Sequence, residues 1–391
     1  MASSAPLLTA LEPAVLGASL RSMTELITCC GLGAIATRAG LIDRDTTRAL
    51  ARCVFNIFLP AMLFTSVAST VASGAGWWTL APVTLAAALQ VGLGLLLSSL
   101  LLKLLRVPRH SPAARDVTTL SAFGNSGVLP LIFVDCLFRA DPTQLARANA
   151  LVAMFLLGWS PLFWTLGFSL LAGTPEPGSD QASRPAAVSA NVLDTLRRRT
   201  LTPPICACLA GMVVGGVPAL RSLLVPGAGG ALVLPLHRCL SIFAKAYSPA
   251  ALLVLASSLA TPIRPLGGKG GTARSDSGDG TIAHPPATLR IRDTAVVSAV
   301  RFLLLPLSFA LALAGLRCGG ILAADPLRDF VLIMQSTMPS AQNAVLALQV
   351  NGEPERASRM ARLLLVIYLI ALLPIATTLT HALQHSRLSV T

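Results

Sequence analysis

The sequence predicts an all-α membrane protein of ten transmembrane helices, arranged as two inverted five-helix repeats with broken, crossing fourth and ninth helices. Three observations lead to this expectation. The 391 residues are 54% hydrophobic and only 12% charged, with a mean hydropathy of +0.71. Ten apolar runs approach the length of about 20 residues that a helix needs to cross a bilayer. Two of these runs are interrupted by proline, glycine and amide residues.

The predicted membrane spans follow one another with two long interruptions. They cover about residues 14–37, 50–72, 79–102, 116–138, 148–172, 201–217, 239–261, 294–315, 328–350 and 363–384. Residues 1–12 contain no lysine or arginine, whereas a cleavable signal peptide begins with a basic region. We therefore expect the first run to be retained as a helix.

Basic residues indicate the orientation of these spans. They are concentrated in the loops after the odd-numbered spans, for example at Arg44, Lys103 and 197–199. Because loops rich in lysine and arginine stay on the cytosolic side, both termini are predicted to face away from the cytosol. The basic residues behind the formal charge of +13 are thus explained by the orientation of the spans in the membrane, and nucleic acid is not expected as a partner.

Two segments rich in Gly, Pro, Ser and charge divide the chain. The predicted parts are a first repeat at 1–172, a cytosolic linker at 173–200 and a second repeat at 201–391 with a flexible cytosolic loop at 262–293. Five is an odd number, so the second repeat must enter the membrane from the opposite side. A weak internal echo supports the repeat, since Pro60 in the second span and Pro249 in the seventh occupy similar positions.

The two interruptions, 123–130 and 336–343, fall inside the fourth and ninth spans. Proline removes a backbone donor, and hydrocarbon cannot satisfy the groups it frees, so a broken helix survives where protein or a ligand cavity surrounds it. At 1.5 Å per residue, Pro130 and Pro339 both fall near the middle of the membrane. One break in each half of a transporter is the sequence feature that indicates its binding site.

The breaks contain the predicted substrate site. Each supplies a half-helix N-terminus, whose free N–H groups and positive dipole favour an anion, and uncharged side chains that can hydrogen-bond it. The candidate residues are Asn125, Ser126, Pro130, Pro339, Gln342 and Asn343. Such a site suits a carboxylate. The alternative is a pair of proline kinks with packing glycines.

Charged residues inside the spans are the next candidates, because a charge in the membrane is costly and usually functional. Arg301 in the eighth span and Lys245 in the seventh could raise the local potential for an anion. Snorkelling, or a structural hydrogen bond to unwound carbonyls, is the alternative for both. Asp135 could take up a proton or pair with a base, or simply lie near the end of its span.

Enzymatic chemistry is not indicated. The five histidines fall in loops or at the ends of spans, the Walker pattern is absent, and the eight cysteines are scattered without metal-ligand spacing. We therefore expect no catalytic residues, no metal and no cofactor. The expected partners are a small organic anion and the lipid bilayer, and a homodimer remains open.

Several motifs resemble those of the auxin efflux carriers, and within them the PIN-LIKES branch, in the bile, arsenite and riboflavin transporter-like superfamily. The resemblance extends from about residue 40 to 383 and is carried by Phe55–Ala61, Gly124–Leu131, Ser248–Ala250, Val300–Leu307 and Met338–Ala341. It implies ten helices in two inverted repeats, crossovers at Pro130 and Pro339, and elevator-like movement of the crossover bundle against a scaffold.

The resemblance also implies transport of a small aromatic carboxylate such as the auxin indole-3-acetic acid. By position, Asn125 matches the asparagine that contacts the substrate carboxylate, and Asn56 of the first shared motif joins the candidate substrate-binding residues. The ninth span departs from the family pattern, because Gln342 and Asn343 follow Met338-Pro339-Ser340. The short linker between the fifth and sixth spans favours the endoplasmic reticulum membrane, with the plasma membrane as the alternative.

The leading hypothesis is a facilitator of organic-anion movement by alternating access at the crossover. The second is a sodium- or proton-coupled carrier of dicarboxylates or bile-acid-like anions on the same architecture. A third, a membrane receptor or scaffold without flux, shares the hydropathy but does not need paired breaks.

Overall fold

The computed structural model describes residues 13–72, 77–108, 111–172, 202–224, 234–260 and 291–386. These residues are almost entirely helical, and the β structure among them is one isolated bridge. The predicted linker at 173–200 lies outside the described residues, as does most of the predicted loop at 262–293. The end of that loop is corrected, because a helix already begins at Ile291.

The described part of the first half of the chain forms six helices. They are α1 (Pro13–Arg38), α2 (Arg44–Ala72), α3 (Trp77–Leu104), α4 (Pro112–Ala122), α5 (Val128–Phe138) and α6 (Pro142–Ala172). The described part of the second half forms seven. They are α7 (Pro203–Gly216), α8 (Pro218–Leu224), α9 (Leu234–Ala260), α10 (Ile291–Cys318), α11 (Pro326–Thr337), α12 (Asn343–Val350) and α13 (Pro354–Ser386).

Six of these helices, α2, α3, α6, α9, α10 and α13, are long and apolar enough to cross a membrane within the described residues. Shorter apolar helical stretches are Ile27–Arg38, Leu129–Phe138 and Pro203–Gly216. The structure therefore supports a helical, multi-pass membrane protein. Several helices begin before the predicted spans, as α13 does at Pro354, because a polar first turn can be helical without being apolar.

Side-chain caps set the start of several helices. A capping side chain accepts a hydrogen bond from an N–H group of the first turn, which has no partner within the helix. The capping residues are Asp43, Ser111, Asp141 and Asp325. At α6, Asp141 accepts from the backbone N–H groups of Gln144 and Thr143 at 3.0 Å each. These bonds lower the pKa of the Asp141 carboxyl, and the bond from the Gln144 N–H contributes most.

Three helices contain a π-helical turn, at Val54–Phe58 in α2, Phe163–Gly167 in α6 and Val300–Leu304 in α10. Such turns widen a helix locally and occur frequently at functional sites. All three helices reach the breaks, as described below.

Glycines permit the close approach of α7 to α2. A Cβ atom at Gly211 would lie 2.9 Å from Val67 Cβ, and one at Gly215 would lie 2.7 Å from the Ala68 carbonyl oxygen. Small residues at such crossings let helix backbones approach closely in a membrane, where the hydrophobic effect cannot drive association.

A buried ion pair connects α13 to α4 and α6. Arg356 is 6% exposed, and its Nη2 and Nε atoms lie 2.5 and 3.1 Å from Oδ1 of Asp116 in α4. Its Nη1 donates to the Leu171 carbonyl at 2.8 Å and to Glu353 at 3.0 Å. Because each donor direction has a partner, the pair holds these three helices together at one end.

Candidate functional site

The two breaks meet through their backbones. The break between α4 and α5 runs beside the break between α11 and α12 as an antiparallel bridge. The Asn125 N–H donates to the Pro339 carbonyl at 2.6 Å, and the Ala341 N–H donates to the Phe123 carbonyl at 2.9 Å. Each break thus satisfies backbone groups of the other, as the membrane interior requires.

Both tyrosines of the chain hydrogen-bond to asparagines of the breaks. The Asn125 side-chain amide donates to Tyr368 of α13 at 2.9 Å, and the Tyr368 hydroxyl donates to the Ser340 carbonyl at 3.1 Å. Tyr247 of α9 donates to Oδ1 of Asn343 at 2.7 Å. One tyrosine therefore supports each break from a neighbouring helix.

Further polar side chains hold the breaks in place. The Ser340 hydroxyl donates to the Leu120 carbonyl at 2.7 Å, and the Gln335 amide donates to the Ser126 carbonyl at 3.2 Å. These bonds connect residues more than 200 positions apart in the sequence. The two halves of the chain are consequently joined by polar contacts at the breaks as well as by apolar packing.

Arg301 lies directly against the breaks. It is 2% exposed, and its Nε donates to the Met338 carbonyl at 2.9 Å. Its Nη2 donates to the same carbonyl oxygen. A Cβ atom at Gly124 would lie 2.8 Å from the Arg301 Cζ and closer still to Nη2, so any other residue there would require the guanidinium to shift. Among the described residues, no carboxylate lies within ion-pair distance of Arg301. The breaks thus adjoin a buried positive charge without a carboxylate partner.

A cavity of about 30 Å³ lies between the breaks. Helices α2, α6 and α9 line it together with six residues of the breaks, namely Asn125, Ser126, Gly127, Ala341, Gln342 and Asn343. Gly127 and Gln342 are the N-cap residues of α5 and α12, and neither caps its helix through a side chain. Two helix N-termini without side-chain caps therefore open onto this cavity.

The π turns bring further residues to the same place. The turn in α2 directly precedes Leu59 and Met62, which line the cavity. The turn in α6 contains Trp164, another lining residue, and the turn in α10 contains Arg301. The irregular parts of these three helices thus converge on the breaks.

Aromatic residues of α6 form one wall of the cavity. Trp159 and Trp164 both line it, and Phe163 stacks on Trp159 with ring centroids 5.1 Å apart. Phe123 of the first break packs edge-on against Phe163 at 5.3 Å. The sequence interpretation missed this wall. The available signal was two tryptophans in the middle of a span, since tryptophan is expected mainly at the membrane interface.

Four of the predicted substrate-site residues, Asn125, Ser126, Gln342 and Asn343, line the cavity. Pro339 lies in the second break and contributes its carbonyl to the bridge. Pro130 occupies a different position from that expected, because the first break lies at 123–127 and Pro130 is buried in the first turn of α5. A helix tolerates proline in its first turn, where the N–H would have no partner within the helix.

The structure does not bring Asn56, Lys245 or Asp135 to the breaks. Asn56 is exposed on α2, and its side chain donates to the Arg52 carbonyl of its own helix at 2.8 Å. Lys245 is exposed on α9, and the half-exposed Asp135 pairs with Arg139. In the part of the chain that the structure describes, no group of three His, Cys, Asp or Glu side chains could hold a metal ion.

Comparison with known proteins identifies the family. A family model described as membrane transport protein matches residues 18–379. The chain is 22% identical to Protein PIN-LIKES 1 of Arabidopsis thaliana, over 84% of this chain and 71% of that protein. It is 24% identical to Protein PIN-LIKES 5 of the same organism, over 86% of this chain and 89% of that protein. The chain therefore belongs to the membrane transport protein family that contains the auxin efflux carriers.

Proposed function

We propose that this protein is a secondary transporter or facilitator of small organic anions, auxin-like aromatic carboxylates among them, and that the breaks bind the anion. The observation that carries the proposal is the meeting of two helix N-termini without side-chain caps at one cavity. The positive end of a helix dipole attracts negative charge, and it does so here even though the N–H groups of Ala344 and Val345 in α12 already donate to the Ala341 and Gln342 carbonyls.

The charges around the breaks support an anion in preference to a cation. Arg301 adds a full positive charge beside the second break, where burial weakens screening by water and salt. The cavity lining contains no aspartate or glutamate among the described residues. A carboxylate would therefore meet hydrogen-bond donors and a favourable positive potential, whereas the same positive potential would repel a cation.

The size of the cavity supports a mechanism with movement. A volume of about 30 Å³ holds a water molecule or two, whereas pockets for organic ligands are on the order of 300 Å³ or more. An aromatic carboxylate can therefore bind only after the surrounding helices separate. Elevator-type alternating access, in which the crossover bundle moves against a scaffold, supplies such a separation and is the mechanism that the family resemblance implies.

We also infer that the chain crosses the membrane ten times as two inverted five-helix repeats, with α4–α5 and α11–α12 as the crossing broken helices. In its support, each of the ten predicted runs contains a helix or a pair of half-helices among the described residues. The two pairs of half-helices fall in the fourth and ninth runs, at the same place in each repeat. For the location we propose the endoplasmic reticulum membrane, on the resemblance of the short linker to that of PIN-LIKES proteins.

Flux measurements on purified protein in vesicles test the proposal. Vesicles loaded with labelled indole-3-acetic acid should lose it faster than protein-free vesicles do. Asn125→Ala should slow this loss about tenfold or more, since a hydrogen bond to a charged group contributes about 1.5–3 kcal/mol. Asn56→Ala is the matched control, because Asn56 bonds only within its own helix, and it should leave flux unchanged. Wild-type flux no faster than that of protein-free vesicles would refute the proposal.

A sodium- or proton-coupled carrier is the second candidate. The observation that favours it is Oε1 of Gln335, which is buried beside the first break without a hydrogen-bond partner. A bound cation or a proton donor would satisfy this oxygen. Uptake that rises with an imposed sodium or proton gradient would support coupling, and uptake indifferent to both gradients would support facilitation.

A further inference from the structure

Two buried hydrogen-bond donors at the cavity have no partner. The indole nitrogens of Trp159 and Trp164 are each fully enclosed, and neither donates to any acceptor of the protein. The side chains are only 4% and 1% exposed, and both residues line the cavity between the breaks. An indole nitrogen can only donate, so what is missing at each is an acceptor.

Such a pair of orphaned donors needs an explanation, because most buried polar groups in proteins are satisfied. Leaving a donor unpaired in the interior costs about 1–3 kcal/mol. Four aromatic rings, those of Phe55, Phe123, Phe163 and Phe168, hold the two tryptophans in place. The packing therefore fixes both donors beside the cavity and does not let them turn away to another acceptor.

We propose that the indole N–H groups of Trp159 and Trp164 hold the carboxylate of the transported anion. This inference rests on the proposed function and assigns the groups that recognise the substrate. A carboxylate has two oxygens that accept hydrogen bonds, and acceptors are what these two donors lack. Bonds to an ionised acceptor are also roughly twice as strong as those to a neutral one.

The surroundings select an anion over a neutral acceptor. The N-termini of α5 and α12 at Gly127 and Gln342 add the positive ends of two helix dipoles to the same cavity, and Arg301 adds positive charge behind the breaks. The cavity has room for water, which can bridge the indoles to the unpartnered Oε1 of Gln342. A carboxylate that enters would displace this water, and the aromatic wall would contact an apolar substrate body.

Indole resonances provide a direct test on the full-length protein. The chain contains four tryptophans, so protein labelled with ¹⁵N-tryptophan should show four indole N–H signals. Trp159→Phe and Trp164→Phe keep an aromatic ring but remove the donor, and they assign two of the signals. Trp77 and Trp78, at the start of α3, provide internal reference signals.

Addition of indole-3-acetate should move the signals of Trp159 and Trp164 downfield and leave the two reference signals in place. The neutral amide of the same acid, and chloride at equal ionic strength, should not produce this shift. Each Trp→Phe variant should slow efflux of labelled indole-3-acetate about tenfold, the effect of about 1.4 kcal/mol. If a variant does not fold, the shifts of the wild-type signals still decide the question.

Two results would overturn this inference while leaving the proposed function intact. One is wild-type flux of indole-3-acetate without movement of either signal, and the other is an equal shift with chloride or with the amide. Absence of flux in the wild-type protein would instead overturn the proposed function itself.

Discussion

Replacement of Gly124 by alanine should destabilise the protein through a single contact. The new Cβ atom would lie 2.8 Å from Cζ of Arg301 and closer to Nη2, a separation that real Cβ atoms do not show. The guanidinium cannot move into solvent, because it is 2% exposed, so it must shift within the interior, and this shift weakens or breaks its bonds to the Met338 carbonyl.

The size of the effect follows from what is left unpaired. A buried carbonyl without a donor costs about 1–3 kcal/mol, and a buried charge that loses its partner costs about 3–5 kcal/mol. The guanidinium can retain part of its hydrogen bonding after a small shift, so we expect Gly124→Ala to lower the free energy of unfolding by about 2–5 kcal/mol.

Thermal unfolding in detergent, followed by tryptophan fluorescence, measures this effect. Gly92→Ala in α3 is the matched control, since a Cβ atom there meets nothing within 4 Å, and its unfolding temperature should stay the same or rise slightly. In an Arg301→Met background, which removes the clash, Gly124→Ala should add less than about 0.5 kcal/mol. Equal destabilisation by Gly124→Ala in both backgrounds would refute the reasoning.

Two further predictions concern the ends of the helices. Arg356→Met should lower the free energy of unfolding by about 3 kcal/mol, because it leaves the mostly buried Asp116 without its partner. The control is Arg48→Met, which loses only an exposed ion pair. It should cost less than about 1 kcal/mol, measured by the same thermal unfolding. The Asp141 carboxyl has a lowered pKa in the folded state, chiefly because it accepts a hydrogen bond from the Gln144 N–H. Its contribution to stability is therefore present above the pKa that the carboxyl has in the unfolded chain, and it is lost as the pH falls through the pKa of the folded state. An Asp141→Asn variant should therefore lose less stability than the wild type between neutral pH and pH 3, and identical pH profiles would contradict this.

The sequence predicted the breaks because their signal is local. Proline, glycine and amides in an apolar run conflict with a continuous helix, and this conflict is visible without any knowledge of the fold. Asn125, Gln342 and Asn343 were chosen for the same reason, and the structure places all three at one cavity. Their role in binding substrate stays a prediction.

The partners of the breaks were not predictable from local signals. Tyr368 lies 243 residues from Asn125, and Tyr247 lies 96 residues from Asn343, so only the folded chain brings them together. Asn56 is a different case. It lies in a motif shared with the family, but its amide bonds to a carbonyl one turn earlier in the same helix and does not reach the cavity. Motif membership says nothing about which way a side chain points.

The hydrogen bonds of the bridge between the breaks join main-chain atoms only. The side chains at the bonded positions can therefore change without loss of these bonds. The two bonds require only that positions 125 and 341 are not proline, since each must keep an N–H group. The bonds themselves place no other demand on the side chains at these two positions. Proteins that share about a fifth of their residues with this chain therefore need no common side chain at positions 125 and 341 to form these two bonds, and a comparison of sequences at those positions would overlook the bridge.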